Sequence, residues 1–146
     1  MQILAIKANN SAAPTKFVLM NTIANRNRNM DESIPLSNRL LIGLLRIILP
    51  PQADNEQAAE YLRTVIGQND NDIEWAVVRP STLIDEEQAS EIESYSSPTR
   101  SIVNDGNVSR INVGHFMADL ITNNDIWSTW RGQMPVIYNK GTAFKV

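Results

Sequence analysis

The residues best placed to do chemistry stand where an apolar run stops. Ile73-Glu74-Trp75-Ala76-Val77-Val78 gives way to Arg79-Pro80-Ser81-Thr82-Leu83. A bounded run of this kind, rich in Val and Ile, reads as a strand buried on both faces. Proline has no N–H and biases Arg79 away from helix, so strand pairing is expected to stop there. Ligands of open α/β sheets bind beyond the carboxyl ends of the strands, which makes Arg79 to Leu83 the expected edge of a site. Arg79 can equally pair with an acidic residue of the loop that follows.

Other catalytic signatures are scarce. The chain has no cysteine and one histidine, so a Cys–His pair is excluded and a Ser–His–Asp triad would need His115. His115 falls opposite the apolar face of its helix and is expected on the surface. No Gly-x-Gly-x-x-Gly or P-loop occurs, and the six glycines are not clustered to let backbone approach a pyrophosphate. The acidic cluster Asp85, Glu86, Glu87, Glu91 and Glu93 lacks the ligand spacing of a calcium loop and is expected as a solvated loop. No metal site is expected. A net charge of -3 and a pI near 5.1 give no footprint for nucleic acid. The N-terminus lacks a secretory signal, and Leu40 to Leu49 is about half the roughly 20 apolar residues needed to span a bilayer. A soluble, cytoplasmic chain without membrane contact is the expectation.

The elements that must position the Arg79–Leu83 edge follow from periodicity and punctuation. Residues 2–8 suggest a stub of helix ended by Asn9-Asn10-Ser11, and Lys16 to Met20 a second buried strand. Asn25 to Pro35 reads as loop. Ser37 can cap a helix to Leu49, which beyond Asn38 is apolar except for Arg39, Gly43 and Arg46. Such a helix must be covered, either by the core or by a partner chain or second copy. Asp54 and Gln57 resemble a capping box opening a helix with the apolar face Ala58, Tyr61, Leu62, Val65 and Ile66, closed by Gly67. This strand–helix–helix–strand order is long enough for a parallel crossover.

Residues 85–107 are expected as an irregular loop region, relieved by a short strand at Arg100–Val103. Ser109 then caps a helix carrying Val113, Phe116, Met117, Leu120 and Ile121 at amphipathic spacing. Trp127 and Trp130 are expected as packing anchors in a connector, before a third apolar strand, Met134 to Asn139. Three such runs alternating with helices argue for a parallel α/β sheet in a single domain, 1–146.

Three blocks in this order carry a resemblance: Phe17-Val18-Leu19-Met20-Asn21-Thr22, Asp54-Asn55-Glu56 through Ala59-Glu60-Tyr61-Leu62-Arg63, and Ile73 through Arg79-Pro80. Together with Ser109 to Met117 and Pro135 to Asn139, they closely resemble the NAD(P)H-binding family of atypical short-chain dehydrogenases/reductases, which includes NmrA-like proteins. The resemblance spans nearly the whole chain but only the second half of the family's domain. It implies a partial Rossmann-like parallel sheet with flanking helices, lacking the N-terminal glycine-rich βαβ unit. It implies NADP or NAD as cofactor and a small carbonyl-type substrate for hydride transfer. By the same resemblance Asn21, Thr22, Arg79, Pro80, Ser81 and Leu83 line the nicotinamide end of the groove, with Pro80 and Leu83 against the ring and Ser81 as a polar contact.

The wider superfamily often uses a Tyr-x-x-x-Lys pair, in which lysine lowers the tyrosine's pKa and holds the ribose. At the matching place this chain has Gln52 and Glu56. That departure keeps two alternatives beside an oxidoreductase: a non-catalytic dinucleotide sensor or interaction protein, and an inactive fragment of a longer domain.

Overall fold

The structure is a computed structural model; it describes residues 13–25, 27–30, 50–99 and 106–142. The run opening at Ile73 forms the strand β2 (Ile73–Pro80), flanked by β1 (Thr15–Met20) and β6 (Val136–Asn139). Both pairings are parallel, with Thr15 opposite Ile73 through Met20 opposite Val78, and Arg79 opposite Val136. A fourth strand, β4 (Ile92–Tyr95), lies antiparallel to β6 and completes the order β1-β2-β6-β4. A separate parallel pair joins β3 (Thr82–Ile84) to β5 (Asn107–Ser109).

Alternation along β2 feeds two hydrophobic layers, because successive side chains point to opposite faces. Ile73, Trp75 and Val77 meet Ala59, Leu62 and Ile66 of α1 (Pro50–Tyr61) and its final turn. Ala76, Val78 and Ile137 of β6 meet Val113, Phe116 and Leu120 of α2 (Arg110–Thr122) and Trp127 of α3 (Asn124–Trp130). The result is a parallel sheet with helices on both faces, the α/β class expected from the alternating runs. Ser109 caps α2 as its position implies, its hydroxyl accepting from the Asn112 N–H at 3.3 Å.

Several local expectations are corrected. Pairing does not stop at Arg79: Pro80 lies opposite Ile137, and the Ser81 N–H still donates to the Ile137 carbonyl at 3.2 Å. In this ladder residues 77, 79 and 81 direct their N–H groups toward β6, so the donor that proline lacks belongs to the β1 side. There β1 has already ended at Met20, and little is lost.

α1 begins at Pro50, not Asp54, since proline is tolerated in a first turn whose N–H groups have no helical partner. Its apolar face also differs: Ala58, Tyr61 and Val65 are exposed, while Ala59, Leu62 and Ile66 are buried. Ala58 and Tyr61 lie in the regular helix, where packing against β2 selects Ala59; for Val65 the cause is a widened π turn over Leu62–Ile66, closed where the Gly67 N–H donates to Leu62 O at 2.9 Å. That turn rotates Val65 outward, and Gly67 ends it at φ 70, in the left-handed region.

Trp127 and Trp130 belong to a helix, not a connector. Asn123 caps α3 by accepting from the N–H groups of Asp125 and Ile126. Ile121, expected on the apolar face of α2, is exposed. Within 85–107, β4 forms at Ile92–Tyr95. The expected helices at 2–8 and Ser37–Leu49, the short strand Arg100–Val103, and residues 26 and 31–35 of the Asn25–Pro35 loop lie outside the described residues.

One anchor is electrostatic. The buried Trp127 Nε1–H donates to Glu74 Oε2 at 2.6 Å, and Arg131 Nη1 donates to Glu74 Oε1 at 2.6 Å. Desolvation pushes the Glu74 carboxyl upward, but these two hydrogen bonds and the charges of Arg131 and Lys16 outweigh it and hold the group below its ordinary 4.5. A carboxyl lowered on folding stabilises above its unfolded value, and that contribution disappears as pH falls through the folded value. Glu74→Gln is therefore expected to lower stability by about 1 kcal/mol at pH 7, with the difference shrinking as pH falls from the ordinary carboxylate value through the lower folded one. Urea unfolding at a series of pH values checks it.

Candidate functional site

The site expected from the sequence lies at the carboxyl ends of β1 and β2, adjacent parallel strands. The chain leaving β1 turns across the end of β2: the Asn21 N–H donates to Val78 O at 2.8 Å and the Ile23 N–H to Pro80 O at 3.2 Å. Asn21 is buried, with both ends of its amide bonded. Its Nδ2 donates to Asn55 O of α1 at 2.7 Å, while its Oδ1 accepts from the Thr22 N–H at 2.9 Å. Asn21 therefore clamps the strand end to α1. Thr22 is half-buried, and its hydroxyl accepts from the Ala24 N–H at 3.3 Å, which tightens the turn.

Arg79 is turned into the protein and is 0% exposed. Its Nε donates to Met134 O at 2.8 Å, its Nη1 to Asn25 O at 2.9 Å and its Nη2 to Ser96 O at 3.0 Å. A buried guanidinium needs such acceptors to replace water, and this one ties together the approach to β6, the turn after β1 and the loop after β4. Pro80 is buried beside it. Ser81, 5% exposed, has a side-chain hydroxyl with no partner, and Asn25, 6% exposed, has an unpartnered Nδ2. Native proteins seldom leave such groups unsatisfied, and a bound water or a ligand atom would satisfy each. Leu83, 37% exposed, sits in β3 opposite Val108.

The structure thus brings Asn21, Thr22, Pro80 and Ser81 together at two neighbouring strand ends. Arg79 braces them from inside, and Leu83 lies a short step further along the chain. The aromatic floor beyond is a T-shaped pair, Tyr95 and Tyr138, with ring centroids 6.0 Å apart and Ile23 and Val136 in the same cluster. Desolvation and the neighbouring Glu93 carboxylate hold the Tyr95 phenol above its ordinary value near 10, so it keeps its proton at neutral pH. Asn25 escaped the sequence reading because it lies in an unpatterned polar stretch. Asn112 and Asn139, both buried polar residues, escaped it because asparagines at a helix start and a strand end resemble surface punctuation. His115 is exposed. Among the described residues there is no metal-ligating cluster, and no helix is long and apolar enough to cross a membrane.

Comparison with known proteins gives a consistent picture. A short-chain dehydrogenase/reductase of the wide type from Veillonella parvula, solved in complex with NADP, superposes with a TM-score of 0.54 at 18% identity. The match covers 97% of this chain and 57% of that one. A Bacillus halodurans protein assigned as an NAD-dependent epimerase/dehydratase gives 0.56 at 14% identity, covering 86% and 47%. The oxidoreductase ylbE from Lactococcus lactis gives 0.53 at 16% identity, with the same coverages of 86% and 47%. The chain spans about half the length of these solved structures, and at such identities the likeness is one of fold. No protein of curated function matches it. The NAD(P)H-binding family model matches residues 2–124, most of the sequence, and the chain belongs to that NAD(P)H-binding family.

Proposed function

We propose that residues 1–146 act as one unit, the nicotinamide-side wall of an NAD(P)-dependent, atypical short-chain dehydrogenase/reductase-like domain of NmrA-like type. The observation that carries this reading is the buried, unpartnered Ser81 hydroxyl at the end of β2, directly after Pro80. Pro80 and Leu83 offer apolar contact to a nicotinamide ring, and Ser81 and Thr22 offer hydroxyls to its carboxamide. Asn21 and Arg79 hold the wall in shape from behind. The cofactor, when bound, supplies the hydride for a small carbonyl-type substrate; the residues here orient it and exclude water.

The phosphate grip belongs elsewhere in this proposal. These 146 residues contain no glycine-rich loop, so the pyrophosphate is assigned to a βαβ unit outside them, making the chain the second half of a longer domain. Ser37–Leu49 remains the proposed contact for a partner or second copy. The cysteine-free composition suits a reducing cytoplasm.

A second reading, a dinucleotide sensor without catalysis, is favoured by one fact. The three tyrosines, Tyr61, Tyr95 and Tyr138, are followed four residues later by Val65, Thr99 and Thr142, so no Tyr-x-x-x-Lys pair exists in the sequence. Titration of the purified chain with NADPH and NADH, followed by nicotinamide fluorescence, tests both readings. A saturable change is expected; none at millimolar cofactor would sink both and leave the inactive fragment. Cofactor oxidation with a panel of small carbonyls then separates enzyme from sensor. Ser81→Ala is expected to leave thermal stability unchanged, since the hydroxyl has no partner to lose, while weakening cofactor binding about fivefold.

A further inference from the structure

The loop after β3 carries the acidic cluster, and Asp85, Glu86, Ser90 and Glu91 in it are tied to the body of the fold. Asp85 accepts from Arg110 Nη1 at 2.7 Å. The Glu91 carboxylate pairs with Lys140, whose backbone N–H also donates to Glu91 O at 2.9 Å. Between these outer ties runs a chain of amides. Asn139 Nδ2 donates to both carboxylate oxygens of Glu86 at 3.1 Å. Asn139 Oδ1 accepts from the Ser109 N–H at 3.1 Å and from Asn112 Nδ2 at 2.6 Å. Asn112 Nδ2 also donates to Ser90 Oγ at 2.8 Å, and Asn112 Oδ1 accepts from the Ser90 N–H at 2.8 Å.

The direction of this chain is fixed at both ends. A carboxylate only accepts and a backbone N–H only donates. Glu86 therefore turns the Asn139 amide nitrogen outward, and Ser109 keeps its oxygen inward. That oxygen forces Asn112 to present its nitrogen to Asn139 and its oxygen to the Ser90 N–H. Only a side chain that both donates and accepts can occupy either place. Asn112 is 1% exposed and joins α2, β6 and the loop, so an unsatisfied group there would be costly.

We propose that Asn112 and Asn139 are positioning residues: their amide relay straps residues 85–91, and through them β3, into a preset wall of the dinucleotide groove. The loop is then a fixed strap, and ligand capture needs no closure. This rests on the dinucleotide reading above, because β3 begins one residue after Ser81.

The test reads the strap and the ligand separately. In the full chain, hydrogen exchange of the Ser90 amide, from an exposed residue in a loop, is expected to run at least about tenfold slower than in a free peptide. Glu86→Lys alters only the exposed end of the relay, opposing donor to donor without burying anything. It is expected to speed Ser90 exchange and raise the NADPH Kd about fivefold each, with little change in the thermal midpoint. Asn112→Asp removes the inner donor while its carboxylate is charged and restores one when protonated. Glu86 and, beyond it, the Asp85–Arg110 and Glu91–Lys140 pairs are the charged groups nearest to it along the loop. Burial raises the introduced carboxyl above its ordinary value, so exchange (corrected for its intrinsic pH dependence) and Kd should both move away from wild type as pH rises. Ser90 exchanging at the free-peptide rate in the wild type overturns the strap. Variants that free Ser90 but leave Kd unchanged overturn its role at the groove. A wild-type chain with a protected Ser90 that binds no NADPH sinks the dinucleotide reading and this ligand role with it, while the strap itself stands.

Discussion

Replacing Arg79 with methionine is expected to destabilise the chain by about 3–5 kcal/mol, a large share of the roughly 5–15 kcal/mol that holds a domain of this size together. Methionine fills much of the same volume, so the loss isolates the guanidinium from packing. Three carbonyls, of Met134, Asn25 and Ser96, would lose a charged donor in a place where water does not reach the side chain. Each orphaned acceptor costs about 1–3 kcal/mol, and they belong to three separate segments of the chain. Arg79→Lys is expected to recover less than half, because one ammonium cannot reproduce a planar fork reaching three acceptors. Urea unfolding at pH 7 measures both, through a shifted midpoint at constant m-value. A loss under about 1 kcal/mol for the methionine variant would show that the carbonyls find other donors and that Arg79 is no brace.

The same residue shows how far the sequence could be read. The apolar run, its end at Arg79-Pro80 and the parallel α/β class were legible because hydrophobic periodicity records burial directly. The fate of the pairing at Pro80 was not, since it depends on where β1 stops, which no residue of β2 encodes. Pro50-Pro51 looked like a full stop, yet proline equally begins helices, and the choice depends on what packs above it. The buried face of α1 falls on Ala59 and not Ala58 because two adjacent alanines read alike in sequence and only packing against β2 chooses between them, while the π turn at Leu62–Ile66 turns Val65 out of the expected period. At the site, the strand end pointed to Arg79 through Leu83, and the family resemblance added Asn21 and Thr22. Which atoms are engaged was hidden, because the partners of Arg79 lie 17 to 55 residues away and those of Asn112 lie 22 and 27 away.

Trp75→Ala is expected to be nearly as severe as the loss of Arg79, at about 3–5 kcal/mol, through a different mechanism. Trp75 is among the largest fully buried side chains and stands at the centre of the layer between β2 and α1, against Ala59, Leu62, Ile66 and Met134. Its Nε1–H also donates to Gly67 O at 2.6 Å, fastening the residue that ends the π turn. Truncation therefore opens a cavity and releases the end of α1 together. Trp75→Phe separates the two effects: the ring largely refills the space while Gly67 O loses its donor, for an expected loss of about 1–2 kcal/mol. The helices report the difference. α2 and α3 pack on the opposite face through Ala76 and Val78, which neither variant touches. Hydrogen exchange in the alanine variant is thus expected to accelerate first in α1 and Leu62–Ile66, with α2 still protected to nearly the global limit. Equal acceleration in both layers would mean that β2 transmits the cavity across the sheet, and that the two faces do not open independently.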